Sequence, residues 1–377
     1  MQLSIKIKLI PNQEQEDILL KTIEAYNEAC NFVSQIAFEN KTASVVKIHH
    51  ICYYDIRKKF NLSSQMAVRV VGKVADTYKI ARSRKLNLKQ PHKFAKYGAI
   101  IYDQRILSWK GLEKVSLLTL NSRQIIPIIL GKYQENKLIY PRRGQVDLLY
   151  KDGEFYLVPI IDIPEPPEKI SKKFLGIDMG VNNLAVDSMG EIYSGKVVDN
   201  KRVKIDKLKS ILQKKGTKSA KRHLKKLSGK ESRFRKDINH CISKKIVEKA
   251  KRHSLGIAVE DLSGIRKRTR LRKSQRRQHS SWAFNQLRKF LEYKSKLAGI
   301  VLKVVDPHYT SQRCSNCSYI AKHNRKSQSN FVCKSCGFSV NADFNGAINL
   351  AHLANVNLRI VAPGRELQAT YSLSKGS

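Results

Sequence analysis

FLGIDMGVNNLAVDSMGEIYSG, residues 174–195, reads as three short strands, FLGID (174–178), NNLAVDS (182–188) and EIYSG (191–195), joined by tight Gly or Asn turns. Two basic helices follow by pattern, about 200–228 and 231–253, and then the apolar strand LGIAVE (255–260). An Arg-rich stretch (266–277) leads into a helix from about Ser281 to Ala298 and the strand IVLKVVD (300–306). After a cysteine-rich segment, ADFNGAINLAHLA (342–354) reads as a last helix. Strands and helices alternating in this order predict an α/β unit with helices flanking one mixed sheet.

Upstream the pattern differs. QLSIKIKL (2–9) alternates polar and apolar, as a half-buried strand does. Helical spacing then runs from Ile18 to Ala37, and again from about Ser63 to Ala81 with Met66, Val70, Val74 and Tyr78 on one face. From about 98 to 163 short strands return (AIIYD, VSLLTL, QIIPIIL, VDLLYKDGEFYLVPI), with Asp152-Gly153 as a hairpin turn. The expected organisation is a small β-barrel (1–10 and 96–163) interrupted by a helical insert (11–95). A Pro-rich linker (164–170) joins it to the α/β unit (171–310 and 341–354), which carries a cysteine-rich insert (311–340) and a tail (355–377).

Composition narrows the partner. The 377 residues hold 72 Lys+Arg against 31 Asp+Glu, a formal charge of +41. Self-repulsion of that size calls for a polyanion, and nucleic acid is the obvious one. A basic membrane-surface protein is the rival, but the sequence has no 18-residue apolar run and opens without a signal-peptide pattern. A hydrophobic content of 41% sets the chain apart from a disordered basic tail. The expectation is a cytoplasmic, nucleoid-associated protein. The surplus concentrates in residues 196–280, with 30 basic against 7 acidic.

In a chain so poor in acids, carboxylates at strand ends and a helix start are candidates to converge at one edge of a sheet. Asp178 and Glu260 each end an apolar strand, and Asp343 begins a helix. Such a cluster suits Mg²⁺ or Mn²⁺, hard ions that prefer oxygen ligands. Taken singly, Asp178 and Asp261 also read as turn residues and Asp343 as a helix cap, and alternation alone does not choose between Glu260 and Asp261. Cys314-x2-Cys317 and Cys333-x2-Cys336, 15 residues apart, have the spacing of a structural four-thiolate Zn²⁺ site. The other three cysteines, Cys30, Cys52 and Cys241, sit in helical patterns and read as buried small hydrophobes.

The order GIDMGVNNLAV, AVEDLSG and YTSQRCSNC…CKSCGFSVNADFNGAINLA resembles the TnpB family, RNA-guided nucleases of bacterial and archaeal insertion sequences held to be ancestral to type V CRISPR effectors. The resemblance covers roughly residues 171–354 by motif and the first half by layout. It implies a RuvC-like nuclease domain of the RNase H fold with an inserted zinc ribbon, preceded by a wedge β-barrel carrying a helical recognition insert. Asp178, Glu260 and Asp343 match the family's catalytic carboxylates, which favours Glu260 over Asp261. The implied cofactors are Mg²⁺ (or Mn²⁺), Zn²⁺ and a guide RNA transcribed from the element's end. The implied partner is double-stranded target DNA beside a short adjacent motif, with one protein monomer per RNA. Phosphate contacts are expected from Arg266, Lys267, Arg268, Arg270, Arg272, Lys273, Arg276 and Arg277. Ser64, Gln65, Arg69 and Lys73 are candidates to enter a groove beside the target, and Tyr309, Thr310, Ser311 and Gln312 match the family's segment before the first cysteine. The rival readings are an RNA-guided repressor that no longer cuts and a guide-independent resolvase or transposase.

Overall fold

The computed structural model describes residues 1–86, 88–169, 171–180, 183–261, 284–327 and 329–355. The chain divides into two compact units, Met1–Pro164 and the part from Glu165 onward.

In the first unit, β1 (Gln2–Ser4) and β2 (Ile7–Leu9) precede three helices: α1 (Gln13–Glu39), α2 (Val45–Phe60) and α3 (Ser64–Ser83). Each helix begins at a side chain that satisfies otherwise orphaned amides: Asn12 in a capping box with Gln15, then Ser44 and Ser63. Then come β3 (Ile100–Asp103), β4 (Leu107–Lys110), β5 (Lys114–Leu118), β6 (Arg123–Ile129), the short α4 (Lys132–Leu138), β7 (Arg142–Lys151) and β8 (Glu154–Asp162). They pair in the order β3-β7-β8-β2-β6-β5-β4, with β1 also on β8. The two end strands, β3 and β4, are consecutive in sequence, and Tyr102 Oη of β3 donates to the Leu118 carbonyl of β5 at 2.8 Å, so the sheet curls into a nearly closed barrel. Asp152 (φ 54°) and Gly153 (φ 84°) make the β7–β8 turn in the left-handed region, the conformation that matches the twist of a two-residue hairpin. The sequence reading gave no bounds for α2, although it set Cys52 in a helical pattern, and it missed β4 and α4.

The second unit is built on β9 (Phe174–Asp178), β10 (Asn183–Asp187), β11 (Ile192–Ser194), β12 (Gly256–Glu260) and β13 (Leu302–Val305), ordered β11-β10-β9-β12-β13. β9 to β11 are antiparallel neighbours, and β9, β12 and β13 run parallel. The two long helices are α5 (Lys196–Lys215) and α6 (Lys218–Arg252). The break lies at Gly216, not near residue 230 as the pattern suggests. Gly216 is left-handed (φ 64°) and caps α5, and Thr217 caps α6, whereas Gly229 continues the helix. α7 (Phe284–Ala298) precedes β13. After the hairpin of β14 (Asn330–Val332) and β15 (Ser339–Asn341), α8 (Ala342–Asn355) closes the described chain.

Strand alternation sorts this sheet into two faces. Leu175, Ile177, Ile257 and Val259 pack with Ile242, Ile246, Val247 and Ala250 of α6 and with Phe284, Leu287 and Leu291 of α7. Phe174 and Ala258 face the other way, onto Leu350 and Ala354 of α8. Asp178 shares parity with Phe174, and Glu260 with Ala258, so the acids that end β9 and β12 fall on the α8 side. α6 is anchored to the β10–β11 turn by Lys249, whose Nζ donates to the fully buried Asp187 at 2.6 Å and to Glu191 at 3.0 Å. Cys30 and Cys52 are buried as expected, but Cys241 is exposed. It lies one position before the buried Ile242, on the outer side of α6. Among the described residues, no helix is long and apolar enough to cross a membrane.

α8 comes so close to β9 that a Cβ built on Gly176 would lie 2.0 Å from the Ala347 carbonyl oxygen and 2.7 Å from the Ala351 nitrogen. Backbone atoms have nowhere to retreat, so Gly176→Ala is expected to lower stability by about 1–3 kcal/mol. Gly72, inside α3, has nothing within 4 Å of its built Cβ, and Gly72→Ala is expected to raise stability by roughly 0.5–1 kcal/mol. Denaturant unfolding of the two variants checks the opposite signs.

Candidate active site and cysteine cluster

The parallel register pairs Ile177 with Val259. The next residue on each strand is an acid, so Asp178 and Glu260 end side by side at the carboxyl edge of β9 and β12. α8 delivers Asp343 to the same place. Asn183, at the start of β10, donates its Nδ2 to Asp343 Oδ2 at 3.0 Å, and Arg325 Nη2 donates to Asp343 Oδ1 at 3.2 Å. The capping role open to Asp343 belongs to Asn341, whose Oδ1 accepts from the amides of Asp343 and Phe344 at 3.0 and 3.2 Å. Thr310 Oγ1 donates to Glu260 Oε1 at 3.4 Å. Asp261 turns to the other side, where Arg288 Nη1 of α7 meets its Oδ1 at 2.9 Å. The choice between Glu260 and Asp261 is therefore one of parity, and Glu260 has the parity of Asp178.

Burial, then the charges of Glu260 and Asp343, push the Asp178 carboxyl up to about 8, while Arg325 pulls the other way. One guanidinium against three carboxylates leaves an excess of negative charge and an all-oxygen donor set, which fits a hard divalent cation such as Mg²⁺ or Mn²⁺. The trio is more open than the cysteine group, the one set of metal-ligating side chains among the described residues with all ligand atoms within 4.8 Å of one another.

That group is Cys314, Cys317, Cys333 and Cys336. Cys314 Sγ lies 3.8 Å from Cys336 Sγ, and Cys317 Sγ lies 3.5 Å from Cys333 Sγ. A tetrahedron with metal–sulfur bonds of about 2.3 Å has edges of about 3.8 Å, so these two separations are near what four thiolates around Zn²⁺ require. The Phe338 amide donates to Cys336 and draws that thiol down, while burial and the neighbouring thiols push Cys317 up. Gly337 takes the left-handed conformation (φ 74°) that turns the chain after it.

The nucleic-acid candidates fare unevenly. Arg266, Lys267, Arg268, Arg270, Arg272, Lys273, Arg276 and Arg277 lie outside the described residues, as does the tail beyond 355. Gln65 and Arg69 both donate to Asp103 Oδ2, the latter through Nε at 2.6 Å, and they line a cavity of about 230 Å³ with Arg105. Lys73 points inward, to Asn27 Oδ1 at 3.1 Å and the Ala99 carbonyl at 2.6 Å, and burial lowers its pKa. Its ammonium ties α3 to α1 and the start of β3, while Ser64 is exposed. Tyr309 is exposed with a left-handed backbone (φ 63°), Ser311 and Gln312 are half-buried, and Thr310 is buried against Glu260. Asn183, Arg325 and Asn341 were not singled out from sequence. Asn183 and Asn341 lie inside the motifs and Arg325 between the two cysteine pairs; the partner of Asn183 is 160 residues away and that of Arg325 is 18, while Asn341 two residues before Asp343 had the local signal of a helix cap.

The chain is also similar to known proteins. Residues 156–266 match the family OrfB_IS605, described as "Probable transposase", and residues 284–350 match the TNB domain of Cas12f1-like proteins. The Escherichia coli (strain K12) protein named "Putative RNA-guided DNA endonuclease InsQ" is 30% identical over 273 residues, 66% of this chain and 67% of that one. The TnpB-like protein MJ0751 of Methanocaldococcus jannaschii is 27% identical over 259 residues, 63% of this chain and 90% of that one. The CRISPR-associated endodeoxyribonuclease Cas12f1 of Syntrophomonas palmitatica is 30% identical over 254 residues, 61% of this chain and 50% of that one. Among solved structures, the mini-RNA-guided endonuclease CRISPR-Cas_phi3 superposes with a TM-score of 0.61 at 10% identity, over 96% of this chain and 94% of that one, a likeness of fold. The chain spans half or less of the length of the Cas12f relatives it matches. It belongs to the TnpB family.

A Cβ on Gly346 would lie 2.9 Å from Asp178 Oδ2. Gly346→Ala suits the helix but displaces that carboxylate, so Mn²⁺ titration is expected to show affinity weakened roughly 10-fold with unfolding unchanged or improved. Cys333→Ser should drop bound zinc below one per chain by elemental analysis. It should also lower the melting temperature, because a structural Zn²⁺ site contributes on the order of 10 kcal/mol of folding free energy.

Proposed function

We propose that this protein is an RNA-guided, metal-dependent DNA endonuclease of a transposable element, cleaving target DNA beside a short adjacent motif from one active site. The observation that carries the reading is the meeting of Asp178 and Glu260 on adjacent parallel strands with Asp343 of α8. The unit from Glu165 onward is read as a RuvC-like domain of the RNase H fold, and the cysteine segment as its zinc ribbon. The barrel of the first unit is read as a wedge domain with α1 to α3 as recognition insert. InsQ and Cas12f1, by their names, act as RNA-guided or CRISPR-associated DNA endonucleases, and this chain is read the same way.

Asp178, Glu260 and Asp343 would hold two Mg²⁺ ions. Bound there, the pair supplies activation of water and stabilisation of the departing 3′ oxygen of a phosphodiester. The chain's own contribution is geometric. β9 and β12 fix two carboxylates by register, α8 presents the third, and Asn183 and Arg325 each take one oxygen of Asp343 and so set its orientation. Thr310 restrains Glu260 from the segment before the first cysteine. The guide selects the target by base pairing, so the protein needs phosphate and shape contacts rather than a base code.

The presence of all three acids favours cutting over a nuclease-silent repressor. Asp178→Ala is expected to abolish cleavage, a loss of more than 10³-fold, while RNA and DNA binding stay within about twofold by gel shift. Cleavage by wild-type protein should require both Mg²⁺ and the RNA that co-purifies with it. Cutting by Asp178→Ala refutes the site, and RNA-independent cutting favours a resolvase or transposase.

A further inference from the structure

The four cysteines and the three carboxylates are wired together by buried asparagines. Asn345 of α8, two residues after Asp343, is fully buried; its Nδ2 donates to the Arg313 carbonyl at 2.8 Å, and its Oδ1 accepts from the Ser315 amide at 3.0 Å. Asn349, one turn on, donates to the carbonyls of Thr310 and Arg313 at 2.9 and 2.7 Å. The chain on either side of Cys314 is thus clamped to the helix that carries Asp343, and the residue at its start, Thr310, touches Glu260. A second connection runs from the other cysteine pair. The Lys334 amide, next to Cys333, donates to the fully buried Asn324 Oδ1 at 3.0 Å. Asn324 Nδ2 in turn donates to the carbonyls of Gln312 and Tyr319 at 3.0 and 3.3 Å, and the following residue, Arg325, holds Asp343. Between the two runs a small core of Cys314, Phe331, Cys333 and Ala342, the residue just before Asp343.

We infer that Asn324, Asn345 and Asn349 are positioning residues that make the cysteine site and the carboxylate site one cooperative unit, so that a metal bound at either strengthens the other. The inference rests on the reading of the carboxylates as a divalent-cation site. Buried amides bonded on both sides have discrete geometries: leaving one unsatisfied costs more than making it gains. Loosening the cysteine loops therefore withdraws the carbonyls that seat Asn345 and Asn349 and frees the start of α8, which carries Asp343. Linkage then runs in both directions, because a coupling free energy belongs to the pair of sites and not to either alone.

The test follows zinc release from full-length protein to a zinc-selective dye, with and without saturating Mn²⁺. Wild-type protein is expected to release zinc at least about fivefold more slowly in Mn²⁺, the lower end of ordinary allosteric coupling. Asp178→Ala should lose that slowing, which locates the effect at the carboxylates. Asn345→Ala and Asn349→Ala, each loaded with one zinc, should reduce it to less than about twofold. Wild-type release indifferent to Mn²⁺, in protein whose Mn²⁺ binding is abolished by Asp178→Ala, overturns the coupling and leaves the nuclease site standing. Mn²⁺ binding insensitive to Asp178→Ala removes the carboxylate site and the coupling with it. Slowing undiminished in both asparagine variants shows that these side chains do not carry the connection.

Discussion

The parallel pairing of β9 with β12 is the constraint on which the site depends. With Ile177 opposite Val259, two acids on strands far apart in sequence end level and on one face. A slip of one residue in either strand would turn its side chains over, exchanging Glu260 for Asp261 and the α8 face for that of α6 and α7. The slip is resisted by apolar packing on both sides. Leu175, Ile177, Ile257 and Val259 are wholly buried against α6 and α7, and Gly176 admits α8 to backbone contact on the reverse. Like-charged carboxylates gain nothing from meeting, and burial makes their charges costlier still, as the raised Asp178 shows. The strands and helix hold them together against their own electrostatics, which is the condition of a preorganised cation site.

Much of this was legible because it is local. β9, β12 and β13 are short apolar runs, α8 follows directly on the cysteine-rich segment, and two CxxC pairs have ribbon spacing. Where charge swamps periodicity the reading failed. α5 and α6 carry so few apolar residues that their boundary was placed near residue 230, although the left-handed Gly216 followed by Thr217 is a stop and start in local chemistry. α2 buries only Ile48, Cys52 and Ile56, a stripe one residue wide, and among β-branched and aromatic neighbours the helical pattern around Cys52 was too narrow to give the helix bounds. Lys73 read as a candidate groove contact because nothing in the sequence announces Asn27 and the Ala99 carbonyl as its partners. Asn183, Arg325 and the asparagines of α8 were opaque for the same reason, since polar side chains acquire their roles only when tertiary structure brings a partner within 3 Å or so.

The two basic helices pose the reverse problem, a surplus of charge with little to hold it. Residues 196–252 contain 22 Lys and Arg against 5 Asp and Glu. The hairpin is held by a narrow stripe of Ile205, Leu212, Ala220 and Leu227, with Leu208 and Leu224 beside it and a Lys209–Glu231 ion pair across it. Its base is fixed to the sheet by Lys249 on Asp187, a pair whose loss would strand a carboxylate with no exposure at all. Between these two attachments the like charges repel, and that repulsion subtracts from the stability of the free protein. A polyanion lying along the helices removes it, and to the extent that it binds the ordered hairpin more tightly than the unfolded chain, it stabilises the fold by mass action. Under the proposed function that polyanion is nucleic acid. The composition that first suggested such a partner is then also part of what makes these helices depend on one.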